Sequence, residues 1–278
     1  MTAADVRTWI VRPLPASAIR LHRAAAARAE VELKAVVRNR PSFVFTLLFP
    51  VLLLVVFGSI FRGRVSGTST DFKQVFMAGI IAAGIMSVAF QALAISVATD
   101  RDSGLLRRLG RTPMPRSAYF IGKIARVGVT ALAEVAVLLA VSATVFGLPL
   151  PATPARWLTL LWVCLLGTAA CALLAIAYNA VIPNARTATA IVTPPFVLLQ
   201  FVSGVFFPFN ELPRWMQTVA ALFPLKWMAQ GLRSVFLPDS FTAVEPARSW
   251  EHGHIALVLA LWCIAGLAGA MLTFRWSE

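Results

Sequence analysis

The sequence predicts an all-α integral membrane protein, on the evidence of its composition and the lengths of its apolar segments. Hydrophobic residues make up 59% of the 278 residues and charged residues only 13%, and the mean hydropathy is +0.77. A helix needs roughly 20 mostly apolar residues to cross a hydrocarbon core about 30 Å thick. Six segments meet that requirement, so we expect residues 1–278 to form a single membrane domain.

The six predicted spans cover residues 43–61, 75–98, 119–146, 157–182, 188–207 and 255–274. No signal-peptide pattern precedes the first of them, so no removable signal peptide is expected. With six spans both termini share a side, and 17 of the 25 Lys and Arg residues fall on it. Basic residues favour the cytoplasmic side. We therefore predict a multi-pass protein of the bacterial cytoplasmic membrane with both termini inside; the high Ala and Arg content suggests a GC-rich bacterium.

The segment before the first span, residues 16–40, is rich in helix formers and ends at Pro41, which disfavours helical geometry in the residue before it. On a helical wheel a basic face lies opposite an apolar face. The basic face carries Arg20, Arg23, Lys34 and Arg38, and the apolar face Ile19, Leu33, Val36 and Val37. The pattern predicts a helix in the membrane interface; a solvated helix next to the membrane is the alternative.

Residues 99–118, between the second and third spans, form a strongly basic loop. Ser103 is a candidate N-cap for a helix over residues 105–109, which Gly110 would end. Pro113 and Pro115 prevent the helix from continuing. We therefore expect a short helix that lies crosswise between the two spans.

The segment between the fifth and sixth spans, residues 207–254, contains two apolar blocks that are too short to cross a membrane. Prolines separate the blocks, and Trp215 and Trp227 provide the amphipathic rings that favour a bilayer interface. These features predict two re-entrant or interfacial half-helices.

The residues give little sign of chemistry in this chain. No phosphate-binding Gly-x-x-x-x-Gly-Lys-Ser/Thr loop is present, so ATP would have to bind a partner subunit. His252 and His254 lie beside Glu251, where a polar cluster is a better interpretation than a metal site. We predict no metal and no cofactor bound by this chain. The net charge of +13 lies next to the spans and favours anionic lipid head groups over nucleic acid as a partner.

Glu134 is the exception, because it lies near the middle of the third span, where an acidic side chain costs about 2.5 to 3.5 kcal/mol. It must therefore face protein or water. Candidate neighbours are Thr130, Gln91, Asn179 and Gln200. Two roles remain open: a polar point in a transport path or gate, and a neutral acid hydrogen-bonded between helices.

Two sequence blocks resemble those of type-2 ABC exporter permeases, in the group that includes daunorubicin-resistance-like permeases. Residues 100–109 (DRDSGLLRRL), with Thr112-Pro113-Met114 and Gly122-Lys123, are similar to the family's cytoplasmic segment; Leu105 and Met114 depart from it conservatively. Residues 203–208 (SGVFFP), followed by Pro213, Trp215, Pro224-Leu225 and residues 231–233 (GLR), resemble its more specific block at the outer end of the fifth span.

The resemblance implies two permease copies, as a homodimer or heterodimer, and two ATPase chains that bind ATP and Mg²⁺. It implies that a coupling element contacts the ATPase through Asp100, Arg101, Asp102, Gly104, Leu105, Arg107, Arg108 and Arg111. The translocation path or gate is expected to include Gln91, Glu134, Gln200, Phe206, Phe207, Trp215 and Trp227. We expect the path to lie at a dimer interface lined by the first, second and fifth spans.

The expected function is export of a hydrophobic or amphipathic drug or lipid, with no catalysis by this chain. A lipid-linked polysaccharide exporter is an alternative, although the presence of only two Tyr argues mildly against an aromatic-lined path. An integral membrane enzyme acting on lipids, with Asp100 and Asp102 as metal ligands, is weakened by the cations around those acids. A structural or assembly protein would show no dependence on an ATPase.

Overall fold

The structure is a computed structural model that describes residues 21–60, 63–65, 67–112 and 114–273. These residues form helices joined by short connections, and the described part contains no strand. The helices are α1 (Leu21–Arg38), α2 (Arg40–Ile60), α3 (Phe72–Met86), α4 (Leu93–Asp102), α5 (Leu105–Gly110), α6 (Arg116–Phe146), α7 (Pro154–Tyr178), α8 (Ala185–Val202), α9 (Arg214–Ala221), α10 (Pro224–Phe236) and α11 (His252–Thr273).

Within the described residues, six helical segments are long and apolar enough to cross a membrane: Phe43–Ile60, Phe72–Asp102, Ser117–Phe146, Pro154–Val181, Ala185–Val202 and His252–Thr273. The prediction of an all-α membrane protein with six spans is confirmed. The predicted end of the fifth span at residue 207 is wrong. The helix ends at Val202 because Gly204 has a φ of 75°, a left-handed conformation that terminates helices.

Each end of the bundle is formed by a distinct set of connections. The end we call the basic end carries α1, the α4–α6 connection and the α7–α8 connection, where Asp102 accepts a 2.5 Å hydrogen bond from the Ala185 amide. The other end, which we call the opposite end, carries α9, α10 and the segment between α10 and α11. There Arg156 pairs with Asp239 at 3.5 Å. Of the predicted interfacial helix at residues 16–40, residues 16–20 lie outside the described residues.

The second span, formed by α3 and α4, lies at the centre of the bundle and packs against α10, α2, α6, α7 and α8. Almost every residue of α3 is buried. We expected this span to line a path between two copies; in the single chain, helices of the same chain surround most of it. By contrast, α2 and α8 expose apolar side chains such as Phe45, Leu48 and Leu198.

Close packing of α7 against α10 and α11 depends on glycines. A Cβ atom on Gly266 of α11 would lie 2.9 Å from the Leu173 carbonyl carbon of α7, and a Cβ on Gly231 of α10 would lie 2.9 Å from Val163. Small residues let helix backbones approach closely in membranes. The two short helices at the opposite end differ, since α10 is buried along its whole length whereas α9 exposes Trp215 and Val219.

Two irregular helical segments lie side by side within the spans. Residues Ser87–Ala92, between α3 and α4, form a π-helical turn. In α8, Pro194 and Pro195 remove two backbone donors from the helix. The Gln91 side chain in the π-helical turn donates a 2.9 Å hydrogen bond to the Thr193 hydroxyl, which joins the two irregular segments directly.

Candidate functional site

The short helix α5 presents basic side chains at the surface of the basic end. Arg107, Arg108 and Arg111 are exposed, whereas Leu106 is buried and holds the helix against the bundle. The helix begins after Gly104, which has a φ of 70° and allows the chain to turn out of α4. Ser103 is not the N-cap that we predicted, because its hydroxyl donates to the Asp100 carbonyl at 3.1 Å.

The side chains of Asp100, Arg101 and Asp102, which precede α5, bond to other parts of the same chain. Asp100 pairs with Lys123 at 2.7 Å and accepts a 2.9 Å hydrogen bond from the Tyr119 hydroxyl. Arg101 donates to the backbone carbonyls of residues 179 and 182, and Asp102 bonds the amide at the start of α8. The predicted coupling residues therefore divide into an inner set that fixes the loop and an outer set of three arginines.

A buried group of charged side chains lies behind α5. We call Arg28, Glu32, Asp100, Lys123 and Arg126 the ionic cluster. Glu32, only 3% exposed, lies 3.1 Å from the Lys123 ammonium and 3.3 Å from Arg126, and it also pairs with Arg28 one helical turn earlier. The cluster joins α1, α4 and α6 through charge-assisted bonds.

Electrostatics keep Glu32 ionised despite its burial. Burial alone raises the pKa of its carboxyl group, but the positive charges of Lys123, Arg28 and Arg126 and the hydrogen bond from Lys123 outweigh that effect. The resulting pKa lies below the usual value of 4.5. The carboxylate is therefore a fixed negative charge at neutral pH.

The crossing of α1 over α6 brings these charges together. A Cβ atom on Gly122 would lie 2.6 Å from Arg28 Cγ, so the absence of a side chain lets α1 approach. The Tyr119 ring lies 5.4 Å from the Arg28 guanidinium and 5.6 Å from the Lys123 ammonium, within reach of cation–π attraction. Sequence reasoning missed the cluster, although Ala25, Arg28 and Glu32 share one face of α1 and Lys123 lies inside the third predicted span.

Glu134 is buried between α6 and α3, with its carboxylate against Gly84. Neither carboxylate oxygen has a hydrogen-bond partner among the described residues. The neighbours that we predicted are engaged elsewhere: Gln91 bonds Thr193, and Asn179 donates to the Ala94 carbonyl. Neither of these candidate side chains forms a hydrogen bond with the Glu134 carboxylate.

The remaining predicted path residues occupy separate surroundings. Gln200 is buried near the end of α8. Phe206 packs against the rings of Phe57, Phe76 and Phe201. Phe207 and Trp215 are exposed, and the buried Trp227 donates to the Ala221 carbonyl at 2.8 Å. In the single chain, these four aromatic side chains do not line one common opening.

Polar side chains of α10 form a second buried group at the opposite end. Arg233 pairs with Glu245 at 2.7 Å, and Gln230 donates to Glu251 at 3.0 Å. Lys226 donates to Gln230 at 2.5 Å and lies 3.4 Å from the centre of the Trp227 ring. Burial, with repulsion from Arg233, lowers the pKa of Lys226 to about 8 against the opposing attraction of Glu251 and Glu245.

The two histidines beside this group have different partners. His254 lies 3.2 Å from Glu251, whereas His252 contacts the Ser234 hydroxyl at 2.9 Å. The described residues contain no group of three or more His, Cys, Asp or Glu side chains that could hold a metal ion. Asp100 and Asp102 also bond different partners, so they do not form a metal-binding pair here.

Comparison with known proteins assigns the family. The sequence profile described as "ABC-2 type transporter" matches residues 27–237, which include the ionic cluster, α5 and α10. A protein of Porphyra purpurea named "Putative transport permease ycf38" is 24% identical over 231 residues, covering 81% of this chain and 79% of the relative. Because the family profile matches most of the sequence, the chain belongs to the ABC-2 type transporter family of membrane permeases, which work with an ABC ATPase.

Proposed function

We propose that the chain is the permease subunit of an ATP-driven exporter of the daunorubicin-resistance-like group. It would move a hydrophobic or amphipathic compound, a drug or a lipid, outward across a bacterial cytoplasmic membrane. The basic end would face the cytoplasm, in keeping with the excess of Lys and Arg there. ATP and Mg²⁺ would bind the partner ATPase, two copies of which would serve two permease copies.

The observation that carries this proposal is α5. Arg107 and Arg108 of α5 and Arg111, which follows it directly, are exposed and form a positive surface suited to an acidic groove on a partner. The helix is short and lies between the second and third spans. A displacement of α5 would therefore be passed on as a rigid-body shift of those spans.

The ionic cluster supports the same role. Asp100, at the end of α4, and Lys123, near the start of α6, pair at 2.7 Å on the two sides of α5. Glu32 adds α1 to the same unit. A force on α5 would therefore act on three helices together, since separating any pair would leave a buried charge without its partner.

The second permease copy would pack against the first and fifth spans. Their apolar faces, which include Phe45, Leu48 and Leu198, are exposed in the single chain. The second span, most of which is buried within the single chain, would act mainly from inside each subunit. Glu134 would serve as an internal packing contact against Gly84 and would not line the path between the copies.

Charge reversal of α5 tests the proposal. The chain is purified with the ATPase encoded nearest to it, as wild type and as an Arg107→Glu, Arg108→Glu, Arg111→Glu variant. The matched control reverses three exposed arginines outside the basic end: Arg64→Glu, Arg214→Glu and Arg248→Glu. We expect the first variant to lose the ATPase and its hydrolysis, and the control to retain both.

Retention of the ATPase by the α5 variant would refute the coupling role. Substrate class is tested separately with the intact complex in inside-out vesicles. ATP-dependent accumulation of a fluorescent drug or of a short-chain fluorescent phospholipid is measured with the complex and with a hydrolysis-deficient ATPase. Accumulation of neither compound would contradict drug or lipid export and favour the polysaccharide alternative.

A further inference from the structure

We propose that a cleft at the basic end binds the phosphate-bearing head group of an anionic phospholipid. The cleft lies between α1 and α2 on one side and α4 and α6 on the other, and encloses about 80 Å³. It shares Lys123 and Arg126 with the ionic cluster. The proposal concerns lipid binding by the permease alone and does not depend on the exported compound.

The lining of the cleft is amphipathic. Asn39, Thr46, Lys123 and Arg126 supply polar or charged groups. Phe43 and Leu93 contribute apolar surface to the same cleft. A free phosphate ion would use only the first set, whereas a phospholipid would place its head group among the polar residues and an acyl chain along the apolar surface.

The charge beside the cleft favours an anion. The ionic cluster contains three cations and two anions, so it carries one unbalanced positive charge. Arg126 is the most accessible of the three cations, because 36% of its side chain is exposed compared with 11% for Arg28 and 2% for Lys123. A guanidinium has five N–H donors, and Arg126 places Nη1 3.3 Å from Glu32. The remaining face can donate to a phosphate oxygen.

The cleft begins near one end of the spans. Asn39 precedes Phe43, where the first span begins, whereas Lys123 and Arg126 lie six and nine residues after Ser117, where the third span begins, about 9 and 13 Å along its axis. The polar lining therefore runs from the end of the first span into the third span. The exposed side chain of Arg38 on α1 adds positive charge near the same surface, whereas the charge of Lys34 is offset by Glu30 at 2.6 Å. Basic residues next to spans attract anionic lipids with about 1 kcal/mol each.

Native mass spectrometry of the purified full chain in detergent tests this proposal. The probes are dioleoyl phosphatidylglycerol, dioleoyl phosphatidylcholine and soluble glycerol 3-phosphate. We expect phosphatidylglycerol to be retained in preference to phosphatidylcholine, and glycerol 3-phosphate not to compete with it. The Arg126→Gln substitution should weaken phosphatidylglycerol binding by about tenfold, since it removes a charge-assisted hydrogen bond.

Arg156→Gln is the matched control, because Arg156 is also a partly exposed arginine paired with a carboxylate, but at the opposite end. It should leave lipid binding unchanged, and Arg126→Lys should restore most of the loss. Ala92→Phe fills the cleft from an exposed position and should reduce binding with every charge retained. Because it leaves Arg126 in place, it tests the site even where Arg126→Gln does not fold.

Three outcomes would overturn the proposal. Equal retention of phosphatidylcholine would show that the charge is irrelevant. Effective competition by glycerol 3-phosphate would identify a site for soluble phosphate compounds. Unchanged binding in both Arg126→Gln and Ala92→Phe would place the bound lipid elsewhere on the protein.

Discussion

Replacement of Glu32 by Gln tests the ionic cluster most directly, because it removes the charge and keeps the shape of the side chain. Loss of one partner from a buried ion pair costs about 3–5 kcal/mol. Lys123 keeps its 2.7 Å contact with Asp100, and Arg126 is partly screened by solvent, so we expect the lower limit, about 3 kcal/mol. That corresponds to a fall in melting temperature of roughly 6–12 °C.

The assay is thermal unfolding of the purified chain in detergent at neutral pH. The control is Glu30→Gln, on the same helix, where the carboxylate pairs with Lys34 at 2.6 Å but both side chains are exposed. Exposed pairs contribute little to stability, so this variant should melt with the wild type. If Glu32→Gln also melts with the wild type, the cluster does not hold α1 to α6 as argued.

Three further results are expected. Combining Glu32→Gln with Lys123→Met should cost at least about 1 kcal/mol less than the two single changes added together, since neither charge is then left unpaired; additive losses would contradict a direct pairing. Because folding lowers the pKa of Glu32, the difference in unfolding free energy between wild type and Glu32→Gln should be constant above pH 4.5. It should shrink as the pH falls through the lowered pKa. A difference that does not change with pH in this range would show that Glu32 is not ionised in the folded protein. Gly79→Ala should destabilise the chain by about 1–3 kcal/mol, because its Cβ would lie 2.6 Å from the Val205 carbonyl oxygen. Gly128→Ala, with open space around it, should instead stabilise the chain by up to about 1 kcal/mol. Both are measured by the same melting assay, and equal shifts in melting temperature would refute the packing argument.

The number of spans followed directly from the sequence because hydrophobic length is a local property of each segment. The end of the fifth span did not, because residues 203–207 remain apolar while the backbone at Gly204 turns away from the helix. Hydropathy does not report backbone conformation. The glycine could have signalled a helix end, but a glycine inside an apolar run is also common in membrane helices.

The site was predictable only where its residues are close in sequence. The exposed arginines of α5 lie within five positions of one another, and their common surface follows from one short helix. The ionic cluster joins Glu32 to Lys123, 91 residues later. Wheel analysis of α1 drew attention to its basic and apolar faces, whereas the face packed on α6 carries Ala25, Arg28 and Glu32. An acid and a base that meet from positions so far apart in the sequence leave no periodic pattern.

The π-helical turn at Ser87–Ala92 and the prolines of α8 place two mechanically soft segments at the same depth. Regular α-helical hydrogen bonding is interrupted in both, so each span bends there at a smaller cost than elsewhere along its length. The bond from Gln91 to Thr193 ties the two flexible points together. If the part of one span towards the basic end tilts, the neighbouring span would therefore tilt with it. The parts of both spans towards the opposite end would keep their packing against α10.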